Sequence, residues 1–202
     1  PETLIRRRTV RSFAGEDISL AILSRFLAYS SARMANLRRR TADAPGNTTL
    51  MLENSDYSAF NINVIAHRVS GLESGIYRYD PAAHGLSLSQ QGDYEEQVVH
   101  SVWGQPMARR TCFSLFFSCV FERYQWRYRY PRGYQNLLIN LGELVQFCVT
   151  AANFLDLGAC LTPALRDDFV NRLIGVDGTN EEVLYYVGVG VPRGGRSTSS
   201  AY

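Results

Sequence analysis

Phe60-Asn61-Ile62-Asn63-Val64, Ile76-Tyr77-Arg78-Tyr79-Asp80-Pro81 and Leu86-Ser87-Leu88 follow one another with no helical stretch between them. In the first, apolar residues alternate with asparagine, the period-two pattern of a strand with one wet face. The second is a short strand closed by an Asp-Pro turn, and the third alternates again. A regular β-α-β wound sheet needs a helix at each crossing, and these strands lack one. The fold class implied is α+β, with a mostly antiparallel central sheet.

The rest of the chain supplies the helices. Leu137, Leu138, Leu141, Leu144, Val145, Cys148, Val149 and Ala152 make a broad apolar face, which predicts a long central helix from about Gln135 to Leu155 with Gly158 as its C-cap. Thr111 to Phe121 reads as a buried strand, Asp93 to Val102 and Asp167 to Ile174 as helices, and Glu182 to Gly190 as a last strand. Toward the start, Glu2 to Arg8 reads as a short helix followed by an extended stretch through Phe13. Asp17 and Ser19 are N-cap candidates for a helix carrying Ile22, Leu23, Phe26 and Leu27 to about Leu37. Periodicity is lost from Arg38 to Asn54, where Pro45, Gly46 and Asn47 collect, so residues 38–56 are expected to form a mobile loop. Residues 197–202 are a polar tail. One domain spanning 1–202 is the expectation, since 202 residues suffice for one sizeable core.

The chain has 21 basic residues, all of them arginine, and a formal net charge of +2. That balance does not by itself point to nucleic acid or membrane. The most apolar run, Cys112 to Phe121, is interrupted by Ser114 and Ser118 and falls short of the ~20 residues needed to span a bilayer. Thr9 to Ser19 is too polar for a signal peptide. Cys112, Cys119, Cys148 and Cys160 show no C-x-x-C spacing and read as buried free thiols of a reducing cytoplasm. His67, His84 and His100 have no metal-ligand spacing, so no metal is expected. No G-x-G-x-x-G or G-x-S-x-G motif is present. Asp167-Asp168 and Glu181-Glu182 read as a helix start and a solvated loop.

Three constellations carry chemistry. In Arg7-Arg8-Thr9-Val10-Arg11-Ser12-Phe13, guanidinium forks and hydroxyls suit a phosphate. In Arg193-Gly194-Gly195-Arg196-Ser197-Thr198, glycines free the backbone N–H groups to approach an anion. Together the two segments can close over one phosphate; separately they read as a solvated basic stretch and a tail. The third is Trp126-Arg127-Tyr128-Arg129-Tyr130-Pro131-Arg132-Gly133-Tyr134. If extended, it sets Arg127 and Arg129 on one face and the aromatic rings on the other. Such a stripe fits a strand edge, a ligand or catalytic site, or single-stranded nucleic acid.

Arg8-Thr9-Val10-Arg11-Ser12-Phe13 resembles the R-S-x-R-x-F entry of the nitroreductase-like flavoproteins, in particular the SagB-type peptide dehydrogenases. Val69-Ser70-Gly71-Leu72-Glu73-Ser74-Gly75-Ile76-Tyr77-Arg78-Tyr79-Asp80-Pro81, with His84 and Leu86, is similar to their V-x-G-L-x-x-G-x-Y-x-Y-x-P-x-x-H-x-L. Leu173-Ile174-Gly175-Val176-Asp177-Gly178 with Glu182 resembles their L-L-G-x-D-G-x-E. The resemblance implies an FMN-binding α+β sandwich, dimeric with FMN at the interface, that oxidises thiazolines and oxazolines in modified peptides. By resemblance Arg7, Arg8, Thr9 and Arg11 hold the FMN phosphate, joined by Arg193 or Arg196.

The family's Lys-Tyr pair falls on Arg127-Tyr128, its G-H on Gly142-Glu143, and its P-S-x-G-A loop near Glu53 to Ala59, where the residues are Glu-Asn-Ser-Asp-Tyr-Ser-Ala. Arginine keeps its proton, so Arg127 cannot be the base. Tyr128 can, if Arg127 and Arg129 stabilise its phenolate, and Glu143 is the second candidate. The expected partners are a modified peptide and either a second copy or other pathway enzymes, with no nucleic acid and no membrane. The alternative is a non-catalytic partner subunit or peptide-binding module of the same fold.

Overall fold

The three strands that decide the class form one side of a six-stranded sheet. The structure is a computed structural model that describes residues 5, 7–42 and 57–194. In chain order its first elements are β1 (Ile18–Ser19), α1 (Leu20–Ser30), α2 (Ala32–Ala42), β2 (Phe60–Ala66), β3 (Val69–Ser70), β4 (Gly75–Asp80) and β5 (Gly85–Gln91). Then come α3 (Glu95–Ser101), β6 (Phe113–Val120), α4 (Phe121–Arg127), α5 (Gly133–Phe154), β7 (Gly158–Thr162), α6 (Asp167–Ile174) and β8 (Glu181–Gly190). The sheet order is β5-β4-β2-β6-β8-β7, and every neighbouring pair is antiparallel. β1 and β3 form a separate parallel pair.

Helices cover both faces. Ile62, Val64 and Ala66 of β2 pack with Leu23 and Phe26 of α1 and with Leu141 and Leu144 of α5. Ile65, on the opposite face, packs with Phe116, Tyr186 and the apolar residues of α3 and α6. The expected wet face of β2 is therefore corrected, because the whole strand is buried. Asn63 donates to the Phe116 carbonyl and to Ser118 Oγ, both at 3.2 Å, and accepts from Arg78 at 2.9 Å. Asn61 donates to Glu181 Oε1 at 2.8 Å. Alternation reports two chemically different faces; here the polar face is internal because its amides find partners. Glu181 likewise starts β8 rather than a solvated loop. Burial pushes its carboxyl up, but hydrogen bonds from Ser118 and Asn61 and the charge of Arg78 outweigh this, and its pKa is lowered.

Other expectations move as well. The helix expected to run on to Leu37 is two, α1 and α2, separated at Ser31, whose hydroxyl and N–H both bond the Leu27 carbonyl. Asp17 accepts from Ser70 rather than capping α1. Arg7 and Arg8 lie outside any helix; residues 1–4 and 6 are outside the described residues, as are 43–56 of the expected mobile loop and the 197–202 tail. Residues 38–42 of that loop are helical.

α5 is long and apolar enough to cross a membrane by length and composition alone, which corrects the expectation that no stretch is. Its buried stripe, including Leu137, Leu141, Leu144, Val145 and Cys148, packs into the core beneath the sheet. Gly158 does not cap this helix, which ends at Leu155 and turns through a left-handed Asp156. Gly158 opens β7 instead, where a Cβ would lie 2.7 Å from the Val10 side chain. All four cysteines are buried free thiols.

Candidate functional site

The arginine–tyrosine segment is not extended. α4 follows β6 directly, and its last turn closes with Tyr128 N–H on the Tyr124 carbonyl at 3.1 Å. The chain then folds back, Gly133 N–H meeting the Tyr130 carbonyl at 2.8 Å, and α5 begins. Glycine is required at that point, because a Cβ on Gly133 would sit 2.8 Å from the Tyr128 carbonyl oxygen. Helical spacing replaces the expected alternation and puts Tyr124 and Tyr128 on one face, ring centroids 4.8 Å apart. Tyr130 meets Tyr128 edge-on at 6.2 Å.

Around this turn lies a cavity of about 640 Å³, lined chiefly by Phe121, Tyr124, Trp126, Tyr128, Tyr130 and Tyr134. Asn140 donates to the Tyr124 hydroxyl at 3.0 Å and Asn136 to the Tyr130 hydroxyl at 3.2 Å, which fixes two of the rings from α5. The Arg127 guanidinium lies 5.7 Å from the Tyr128 ring centroid. Arg129 also lines the cavity and donates Nε to the Trp126 carbonyl at 2.9 Å. Of the two arginines expected to support Tyr128, Arg127 is therefore the one in contact with its ring.

Glu143 is elsewhere. It lies ten residues past Gly133, about 15 Å along α5, and does not line the cavity. Its two carboxylate oxygens accept from Arg33 of α2 and from the Tyr57 hydroxyl. Arg33 also lies over the Phe147 ring at 4.9 Å. The Tyr57 hydroxyl pKa is raised, by burial first and then by its bond to Glu143. Tyr57 belongs to the stretch aligned with the family's P-S-x-G-A loop; its neighbours Ser58 and Ala59 are buried, and Glu53 to Asp56 are outside the described residues.

The phosphate candidates come together at the β7 edge. Val10 N–H donates to the Ala159 carbonyl and Ala14 N–H to the Val191 carbonyl, each at 2.9 Å, and Phe13 pairs with Pro192. Arg193 N–H then meets the Ser12 carbonyl at 3.0 Å. Arg7, Arg8, Arg11 and Arg193 are exposed, and none has an ion-pair partner among the described residues. Guanidinium forks without an ion-pair partner among the described residues, beside Thr9, are of the type that could hold a phosphate monoester, the group that ends FMN. Arg196 lies outside the described residues. Among the described residues no cluster of His, Cys, Asp or Glu could hold a metal.

A model of the nitroreductase family matches residues 4–191. The chain belongs to the nitroreductase family. It is 28% identical over 196 residues to the trifolitoxin operon protein TfxC of Rhizobium leguminosarum bv. trifolii, covering 93% of this chain and 54% of that protein. It thus spans about half the length of that relative. Among solved nitroreductase folds, a protein of Anabaena variabilis assigned to the family superposes with TM-score 0.78 at 24% identity, over 95% of this chain and 38% of the other. The E. coli microcin synthetase McbBCD complex, solved with truncated pro-MccB17 bound, contains a chain that superposes with TM-score 0.70 at 18% identity, over 92% and 68%.

Within this nitroreductase chain the expected site residues fall into three places: the cavity with Tyr128 and Arg127, the α2–α5 cluster with Glu143, and the β7 edge with the arginines. Sequence reading did not anticipate that Tyr57 and Arg33 engage Glu143, nor that Trp126 and Tyr134 share a cavity with Tyr128. The Pro131-Arg132-Gly133 turn signal, given its full weight, points to the fold-back that builds the cavity.

Proposed function

We propose that this chain is the FMN-dependent oxidoreductase component of a peptide-modifying system and oxidises azoline rings to azoles. The observation that carries this reading is the pairing of the Arg8–Phe13 segment with residues 191–193, which brings together arginines without ion-pair partners among the described residues on a nitroreductase fold. The similarity to a trifolitoxin operon protein supports a peptide pathway, as does the bound pro-MccB17 of the microcin synthetase complex.

Arg7, Arg8, Thr9, Arg11 and Arg193, with Arg196, would hold the phosphate of FMN, and FMN, when bound, would supply the two-electron acceptor for the oxidation. The other product of the oxidation is the proton on the adjacent carbon, and Tyr128 accepts it. Arg127, over the Tyr128 ring, stabilises the phenolate character this needs and keeps its own proton. Glu143 serves as a second acceptor, poised by Arg33 and Tyr57. Because the three places are apart within one chain, a second copy or a partner enzyme completes the site.

A second reading keeps the fold as a non-catalytic, peptide-binding partner subunit. It is favoured by the commitment of Glu143 to Arg33 and Tyr57, outside the cavity. A visible absorption spectrum of the purified protein during FMN titration separates the two. Saturable, stoichiometric FMN with turnover of an azoline peptide supports the first, and no FMN uptake supports the second.

A further inference from the structure

We propose that the cavity between α4 and the start of α5 is a seat for a planar heteroaromatic ring already present in the peptide, so that it selects finished azoles over azolines. The seat itself stands on geometry. Naming its ring an azole rests on the function proposed above.

Tyr124, Tyr128 and Tyr130 already contact one another as face and edge. Trp126 and Tyr134 line the same cavity, 39% and 58% exposed, and neither side chain has a ring or hydrogen-bond partner among the described residues. Two aromatic rings on this wall therefore lack a ring contact among the described residues. An azoline ring has two saturated carbons, whereas an azole is flat and conjugated throughout. Ring-on-ring contact rewards the flat, conjugated partner.

The polar groups agree. The Trp126 indole N–H, the Tyr134 hydroxyl and the terminal nitrogens of Arg129 are donors around the cavity with no partner among the described residues. An azole nitrogen and the flanking peptide carbonyls are acceptors. A volume of about 640 Å³ exceeds one five-membered ring and leaves room for its neighbours against Tyr128. A peptide with one ring complete is thus held by that ring while the next is presented. A second copy of this chain is the competing occupant, since exposed Leu138 and Ile139 continue from Tyr134 along α5.

The chain has two tryptophans, and Trp103 does not line the cavity, so Trp103→Phe leaves Trp126 as the sole indole reporter. Short peptide amides identical except for one position (thiazole, thiazoline or glycine) are titrated into this variant while Trp126 emission is followed. The expected result is saturable binding, with thiazole about three- to tenfold tighter than thiazoline. Adding Tyr134→Ala should erase that preference without lowering the melting temperature. Equal affinity for the three peptides, or no saturable binding, overturns the proposal. So does an emission change that follows protein concentration without peptide and accompanies doubling of the sedimenting mass, which assigns the cavity to self-association. FMN uptake and azoline turnover are measured separately. Ring preference without FMN uptake sinks the proposed function and spares the seat; active, FMN-loaded protein without ring preference sinks the seat alone.

Discussion

The Arg193 N–H donates to the Ser12 carbonyl at 3.0 Å, so two basic segments far apart in sequence lie side by side at the β7 edge. The arrangement depends on Gly158, against which Val10 packs. Neither arginine cluster alone distinguishes a phosphate site from a solvated surface. Their juxtaposition, with no ion-pair partner for Arg7, Arg8, Arg11 or Arg193 among the described residues, is what the proposed phosphate site rests on.

Gly158→Ala should push Val10 off β7 and loosen the arm. Overpacking of this kind costs about 1–3 kcal/mol, read as a lower urea midpoint, and FMN affinity should fall with it. Gly142→Ala is the contrasting case, since a Cβ there meets nothing within 4 Å on an exposed helix position. It should gain about 0.5–1 kcal/mol. An unchanged midpoint in Gly158→Ala would mean that Val10 does not pack as described.

Tyr128→Phe keeps the ring contacts with Tyr124 and Tyr130 and removes the hydroxyl. FMN binding should stay as it was, while azoline turnover falls by about 100-fold or more, the usual scale for losing a general base. Single-turnover kinetics on FMN-loaded protein makes the measurement. Full activity would remove Tyr128 from the proton step.

His67 predicts acid sensitivity. Burial lowers its pKa to about 4; its Nε2 lies 3.2 Å from Ser114 Oγ, and its Nδ1 has no hydrogen-bond partner among the described residues. The folded protein therefore holds the ring neutral where the unfolded chain, with a pKa near the ordinary ~6.5, takes a proton. Stability is fully present above about pH 6.5 and is lost as pH falls toward about 4, by on the order of 3 kcal/mol. Glu95, whose pKa is also lowered, adds its loss only below the ordinary carboxylate range. Denaturant midpoints between pH 7 and 4.5 should fall in the wild type and stay flatter in His67→Gln.

The thiols should be inert. Burial pushes Cys112 up to about 11 and Cys119, Cys148 and Cys160 up to about 12. A thiol reagent at pH 8 should label none of these four in the native protein and all four in guanidinium. Fast labelling of Cys160 in the native state would show that the core around Tyr186 opens.

Much of the fold is legible in the residues. The β2, β4 and β5 segments, α6 and the broad stripe of α5 announce themselves because period two and period 3.6 are local consequences of which face is apolar. What misleads is chemistry that depends on a neighbour. Asn61 and Asn63 read as wet because an amide prefers water, and only the approach of Glu181, Ser118 and Arg78 lets them be buried. Trp126 to Tyr130 alternates like a strand, yet a helix ends at Arg127 and the turn at Pro131-Arg132-Gly133 folds the chain back into α5.

The sequence by itself determined the α+β class, the antiparallel pairing of its early strands, the absence of lysine and the family motifs, because each is written in local order and composition. Tertiary structure alone decided that Arg193 meets the Arg8–Phe13 segment, that Glu143 is held by Arg33 and Tyr57 away from Tyr128, and that six aromatic side chains line one cavity. The first two join residues from distant parts of the chain, and the third joins two helices across a turn; their cause is close packing and hydrogen-bond satisfaction between elements, which local periodicity does not encode.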